Sequence, residues 1–94
     1  MILGYRDKKT EQFANGGNVR AFQGFVDQAE RRLAHLNAAT SLNDLRAMRS
    51  NHLEALRGDW AGQYSIRINR QWRVCFEWSV GDPGPSNVEI VDYH

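Results

Sequence analysis

The N-terminal half of the chain carries apolar residues at helical spacing. Between positions 19 and 36 they recur every three or four residues, at Val19, Phe22, Val26, Ala29, Leu33 and Leu36. This period places one apolar stripe along a helix and leaves the polar residues on the other side. We therefore predict an amphipathic helix over about 20–37, whose stripe must be buried against another element.

Shorter helices are predicted on both sides of this long one. Asp7 is a favourable N-cap for a helix over Lys8–Ala14. The run Asn15-Gly16-Gly17-Asn18 is a strong stop signal, because Gly and Asn accept the left-handed backbone at a helix end. Ser41 is a candidate cap for one further helical turn over Leu42–Met48.

After Ser50 the helical period gives way to alternation of apolar and polar residues. Tyr64–Ile68 and Trp72–Trp78 both alternate, with a tight turn between them, which predicts a β-hairpin. A last strand is predicted over Asn87–Tyr93, after a loop rich in Gly and Pro. Two further segments are candidate strands: Ile2–Arg6 is a plausible first strand, and His52–Leu56 has a weak strand pattern.

The alternation divides the predicted sheet into two faces. The apolar face carries Tyr64, Ile66, Ile68, Trp72, Val74, Phe76 and Trp78. The helical stripe must cover it, so the predicted fold class is α+β: an antiparallel sheet with two N-terminal helices packed on one face. The other face, expected to be solvated, carries Ser65, Arg67, Asn69, Arg73, Cys75 and Glu77.

Two arginines on the polar face are expected to meet across the hairpin. Arg67 and Arg73 occupy neighbouring strands on the same side of the sheet, and like charges placed opposite each other cost stability. That cost is tolerable if a polyanion or an acidic neighbour lies between them. Glu77 and Glu89 are the available acidic neighbours, so pairing with Arg73 is an alternative to a functional role.

Length and composition describe a small globular protein. Ninety-four residues suit one domain, 1–94, and 41% of them are hydrophobic and 24% charged. The single cysteine excludes an intramolecular disulfide and a cysteine-based zinc site. No apolar run approaches the roughly 18 residues of a membrane span, and the N-terminus lacks the apolar core of a signal peptide. We therefore expect a cytoplasmic protein without membrane partners.

The net charge of +1 conceals an uneven distribution of charge. The segment 46–73 holds six arginines and two acidic residues, whereas 74–94 holds four acidic residues and no Lys or Arg. Arginine presents a planar fork of donors that suits phosphate. The alternative is that these are ordinary surface charges, paired across strands with the acidic residues downstream.

Four blocks of sequence resemble a known family. They are LEALRGD at 53–59, GQYSIRIN at 62–69, QWRVCF at 71–76 and VEIVDYH at 88–94, and the pattern at 33–40 adds to them. In this order and spacing they resemble the HigB toxins of the RelE superfamily, and the resemblance covers the whole chain.

This resemblance implies a bacterial toxin of a type II toxin–antitoxin system with a small RelE-like sheet, similar to that of microbial ribonucleases. Such toxins enter the ribosomal A site and cleave mRNA during translation. The implied partner is a HigA-like helix-turn-helix antitoxin, and operator DNA would be bound only through the antitoxin complex. No cofactor and no metal ion are implied, because the 2′-hydroxyl of RNA can itself attack the adjacent phosphate.

The resemblance also assigns catalytic candidates near the C-terminus and in the hairpin. His94 is the acid–base candidate, since its ordinary pKa suits neutral pH, although a terminal His by itself would be taken as frayed. Arg73 is the candidate stabiliser of the phosphorane. Tyr93 is a candidate for stacking on an unpaired RNA base or for donating its hydroxyl in catalysis, and the alternative is a partly buried tyrosine at the sheet edge. Asp92 is a candidate for orienting His94 or Arg73, and it can equally turn to the apolar side.

Glu54 departs from the family pattern, because some relatives carry His in the corresponding block. A carboxylate can act as the base if its pKa is raised, so the base stays open between Glu54, His94 and no dedicated group. Candidates for RNA phosphate contacts are Arg57, Arg67 and Arg70. Loss of that His favours the alternative function, a non-catalytic module that binds RNA or protein and acts only as antitoxin partner and co-repressor. The lack of a signal-peptide pattern and of disulfides argues against a free secreted ribonuclease.

Overall fold

The computed structural model describes residues 1–92, which form three α-helices, three 3-10 helices and a four-stranded sheet. The α-helices are α1 (Lys8–Ala14), α2 (Val26–Ala38) and α3 (Leu42–Ala47). The strands are β1 (Glu54–Ala55), β2 (Gln63–Arg67), β3 (Trp72–Glu77) and β4 (Ser86–Asp92). The 3-10 helices span Arg20–Phe25, Arg49–Asn51 and Gly58–Trp60. No helix in this part of the chain is long and apolar enough to cross a membrane.

The strands lie in the sheet in chain order, β1-β2-β3-β4, and every neighbouring pair is antiparallel. The β2–β3 hairpin has the register that the alternation predicts, with Tyr64 opposite Phe76 and Arg67 opposite Arg73. The weak candidate strand at His52–Leu56 is present only as the two residues of β1. The α+β prediction is confirmed.

The helices cover the apolar face of this sheet, as its alternation requires. Phe76, Val74 and Ile66 of the sheet are fully buried, together with Ala29 and Leu36 of α2. The face that carries Ser65, Arg73 and Glu89 is turned away from this core, so the site described below is built on it.

The long N-terminal helix differs from its prediction, because residues 20–25 form a 3-10 helix before α2 begins at Val26. Side chains three residues apart lie above one another in a 3-10 helix. Phe22 and Phe25 therefore both reach Trp72, with ring centroids 5.8 and 4.9 Å away. These ring contacts are tertiary packing, which the hydrophobic spacing of the sequence does not contain.

The predicted strand over Ile2–Arg6 is wrong: this segment makes one isolated parallel bridge, between Tyr5 and Val88. Its backbone still follows β4, since Arg6 N donates to Val88 O at 2.9 Å and Val88 N donates to Gly4 O at 3.1 Å. Asp7 caps α1 by accepting from Thr10 N, so the chain turns away from the sheet immediately after Arg6. The consequence is that Arg6 lies at the edge of the polar face.

Candidate functional site

A row of four side chains crosses the polar face from β1 to β4. Glu54 pairs with Ser65, Ser65 with Cys75, and Cys75 with Glu89. Directly opposite residues of an antiparallel sheet project to the same side, so these four side chains share one face. Ser65 and Cys75 are completely buried, whereas Glu54 is exposed and Glu89 is partly exposed. The expectation of a fully solvated face is therefore wrong at its centre, where both small side chains are buried and Arg73 reaches Ser65 Oγ from the neighbouring strand.

Arg67 and Arg73 form the next row on the same face. Arg73 Nη1 donates to the buried Ser65 Oγ at 3.0 Å. Arg67 Nε donates to Asn69 O at 3.1 Å, in the turn beyond the strand, and Arg67 O accepts from Arg32 Nε of α2 at 2.7 Å. The two guanidinium groups are therefore held by partners on opposite sides of their row. This arrangement reduces the repulsion expected between directly opposed like charges.

The two glutamates expected to neighbour Arg73 are both paired with Arg6. Arg6 Nη2 lies 2.8 Å from Glu77 Oε2, and Arg6 Nε lies 3.7 Å from Glu89 Oε1. Asn87, which has a positive φ of 50° at an irregularity in the β3–β4 pairing, donates Nδ2 to the same Glu77 oxygen at 3.0 Å. Sequence reasoning missed Arg6, because it lies 71 residues before Glu77 and no local pattern connects the two.

Burial changes the protonation chemistry of two groups in the row. It raises the pKa of the Cys75 thiol to about 11, and the charge of Glu89 acts in the same direction. The thiol therefore stays protonated at neutral pH and is a poor nucleophile. Burial also raises the pKa of Glu89, helped by Asp7 and opposed by Arg6.

The C-terminal candidates are only partly within the described residues. Asp92 lies opposite Trp72 in the β3–β4 register, and its Oδ2 accepts from Gln71 Nε2 at 2.8 Å. Since Trp72 belongs to the apolar side of the sheet, Asp92 leaves the strand on the side opposite to Arg73. Tyr93 and His94 lie outside the described residues.

The proposed RNA-contacting arginines do not form one cluster. Arg57 is exposed just before the 3-10 helix Gly58–Trp60, at one end of the β1–β2 connection. Arg70 is exposed in the β2–β3 turn, at the other end of β2. β2 has five residues, which at about 3.3 Å each span roughly 17 Å. Only Arg67 of the three lies beside Arg73.

The fold brings two of the catalytic candidates, Glu54 and Arg73, to the same residue, Ser65, which sequence reasoning did not single out. Ser65 is the direct cross-strand partner of Glu54 and the hydrogen-bond acceptor of Arg73. A carboxylate and a guanidinium on either side of one buried hydroxyl can serve as a proton acceptor and a phosphate ligand. Within residues 1–92, no three His, Cys, Asp or Glu side chains lie close enough together to bind a metal ion.

Comparisons with known proteins agree with the resemblance seen in the sequence. A family model described as a RelE-like toxin of type II toxin–antitoxin system HigB matches residues 3–94. Toxin HigB-1 of Vibrio cholerae serotype O1 is 37% identical over 83 residues, which cover 86% of this chain and 87% of that protein. Endoribonuclease HigB of Proteus vulgaris is 35% identical over 69 residues, covering 73% of this chain and 72% of that protein.

Proposed function

Because the chain belongs to the HigB family of RelE-like toxins of type II toxin–antitoxin systems, we propose that it is a ribosome-dependent mRNA endonuclease. The observation that carries this proposal is the juxtaposition of Arg73, Arg67 and Glu54 on the sheet face that the helices leave uncovered. The relative from Proteus vulgaris is itself named an endoribonuclease.

The proposed reaction needs no cofactor. The 2′-oxygen loses its proton to a base and attacks the adjacent phosphorus, which passes through a phosphorane of increased negative charge. The bond from phosphorus to the 5′ oxygen then breaks, a proton is delivered to that oxygen, and the other product keeps a 2′,3′-cyclic phosphate. General acid–base groups contribute typically about 10²–10⁴-fold to such a step.

Arg73 is the residue proposed to stabilise the phosphorane. Its hydrogen bond to the buried Ser65 holds the guanidinium on the polar face before RNA binds. Donors that are preorganised in this way lower the reaction barrier, because they need not reorganise during the reaction. Arg67, in the neighbouring position, would bind an adjacent phosphate. Glu54 is proposed as the general base and His94 as the general acid. Tyr93 is proposed to stack on an RNA nucleobase.

Ribosome dependence is proposed from the distribution of charge. The net charge is +1, and Arg57 and Arg70 lie at opposite ends of β2 instead of forming a continuous basic groove. Such a protein would bind free RNA weakly, because affinity for the RNA backbone comes from the number of phosphates neutralised together. Two separated arginines suit a ribosomal A site, where rRNA and mRNA phosphates surround the bound protein.

The proposed partner in the cell is a HigA-like helix-turn-helix antitoxin. An antitoxin partner follows from membership of a type II toxin family. We propose that operator DNA is bound only by the complex, through the antitoxin. On this basis the protein would act in the cytoplasm, where translating ribosomes are found.

The chemistry can be tested with an mRNA that carries a single 2′-deoxynucleotide at the cleavage site. We expect ribosome-bound, unmodified mRNA to be cut and to yield a 2′,3′-cyclic phosphate end. The deoxy-substituted mRNA should stay intact at that site, because its attacking hydroxyl is missing. Cutting of the substituted mRNA at an unchanged rate would contradict 2′-oxygen attack. Growth arrest without any mRNA cleavage would favour the non-catalytic alternative.

A further inference from the structure

Arg6 and two glutamates form a charged cluster at the β4 edge of the polar face. One guanidinium contacts both carboxylates, at 2.8 Å from Glu77 and 3.7 Å from Glu89. Asn87 adds a second donor to Glu77 at 3.0 Å. The side chains of Arg6 and Glu77 are each 40% exposed and that of Glu89 is 22% exposed, so the cluster lies at the surface that RNA would approach.

The position of Arg6 is fixed on both sides by its backbone. Its own N–H donates to Val88 O at 2.9 Å. The following residue, Asp7, caps α1 through Thr10 N, and Thr10 Oγ1 accepts from Ile90 N at 3.0 Å. The backbone around Arg6 is therefore attached to β4 on either side of Glu89. This attachment holds the guanidinium near Glu89 more firmly than in an ordinary surface ion pair.

Glu89 is within reach of Arg73 as well as of Arg6. Val91 is the direct partner of Arg73, and Glu89 lies two residues before it on the same face. Diagonal neighbours of this kind are about 7–8 Å apart at their backbones, which long side chains can span. Burial raises the pKa of Glu89 and Arg6 opposes that shift, so Arg6 stabilises the negative charge of a carboxylate that lies beside the proposed phosphate ligand.

We propose that Arg6 is a positioning residue for RNA cleavage: by pairing with Glu89 it keeps that carboxylate from binding Arg73, and by pairing with both Glu77 and Glu89 it offsets negative charge that would repel the RNA phosphate. The proposal rests on the proposed function, since it concerns the same face of the sheet. Without Arg6, two uncompensated negative charges would lie on the same face as the phosphate-binding arginine, and that of Glu89 would be its diagonal neighbour. One of them would be free to pair with it.

The first test measures mRNA cleavage on translating ribosomes at increasing protein concentration. We expect Arg6→Gln to raise the half-saturating concentration by about fivefold to tenfold, because two carboxylates without their cation then repel the RNA phosphate, with a smaller effect on the saturating rate. The effect should shrink as salt screens the charges. Adding Glu77→Gln and Glu89→Gln to Arg6→Gln should restore cleavage, and Arg6→Lys should retain most of it.

A matched control removes the same charge elsewhere. Arg20 is exposed at the start of the 3-10 helix on the other side of the sheet, so Arg20→Gln lowers the net charge equally. We expect it to cleave like the unmodified chain. An Arg6→Gln protein that cleaves normally would overturn the inference, and so would a weakened Arg6→Gln that the two glutamine substitutions fail to restore.

The second test does not depend on cleavage. In protein labelled with ¹⁵N-arginine, we expect the Nε signal of Arg73 to move in Arg6→Gln, because Glu89 then pairs with it. The signal should return in Arg6→Gln combined with Glu89→Gln, and an unmoved signal would overturn the inference. If the unmodified chain does not cut mRNA at all, the proposed function is wrong. If it cuts but the Arg6 variants have no effect, only the inference is wrong.

Discussion

Arg73 is the residue on which the proposed chemistry depends most. Replacing it with Ala removes the cation at the phosphorane, so we expect the cleavage rate to fall by about 10²–10³. Its hydrogen bond to buried Ser65 is lost as well, which should lower the free energy of unfolding by only about 1 kcal/mol.

Circular dichroism and denaturant unfolding separate these two effects, with Arg20→Ala as a control on the opposite layer. If the Arg73→Ala protein cut mRNA at the normal rate, the assignment of Arg73 as the phosphorane ligand would be wrong. Glu54, Arg57 and Arg67 would then be the residues to examine.

The buried thiol of Cys75 predicts how the stability of the fold depends on pH. Its pKa is raised from 9.0 to about 11 in the folded protein, so folding favours the protonated thiol. The corresponding stability is fully present below pH 9 and is lost as the pH rises towards 11. Urea unfolding of the native chain should therefore show a loss of stability over this range that is smaller in Cys75→Ala. Equal pH profiles for both proteins would contradict the buried, protonated thiol.

The elements were predictable where the hydrophobic pattern continues over several residues. β2, β3 and β4 alternate clearly, and the hairpin register places Arg67 opposite Arg73 as predicted. Ile2–Arg6 also looked like a strand, but the cap at Asp7 turns the chain into α1 after a single bridge. The change from the 3-10 helix to α2 after Phe25 accompanies a ring contact with Trp72, and local propensity does not contain such a contact.

The site was predictable only in part, for a related reason. Alternation places Glu77 and Arg73 on one face, but it does not say which cation pairs with which carboxylate. Arg6 forms ion pairs with both Glu77 and Glu89 because the N-terminal segment runs beside β4. That arrangement is set by the whole fold. The burial of Ser65 and Cys75 is likewise a property of the assembled sheet, in which Arg73 reaches Ser65 Oγ from the neighbouring strand.

Trp72 tests how the helices are attached to the sheet. Its ring packs against Phe22 and Phe25, so Trp72→Ala should lower the free energy of unfolding by about 3 kcal/mol or more, a large part of a small domain's stability. Trp60→Ala is the matched control, because this ring is 39% exposed on the 3-10 helix Gly58–Trp60. We expect a much smaller change for it in thermal unfolding, and equal losses for the two variants would contradict this packing.

For the whole molecule, the distribution of charge explains why the ribosome is proposed as part of the active complex. The polar face combines Arg67 and Arg73 with the Arg6 cluster, in which two carboxylates offset one guanidinium, and Arg57 and Arg70 lie apart at opposite ends of β2. We therefore expect weak binding of free RNA. Helices α1 and α2 lie on the other side of the sheet, which leaves this face open to a large RNA surface. Binding would then be supplied mainly by the ribosome, and the chemistry by the protein.

Primer extension on one mRNA, with and without translating ribosomes, tests this account most directly. We expect strong cleavage only when the mRNA is being translated, with the Arg73→Ala protein inactive in the same reaction. Equal cutting of naked and translated mRNA would contradict ribosome dependence. No cutting under either condition, by a folded protein that still arrests growth, would contradict the endonuclease itself.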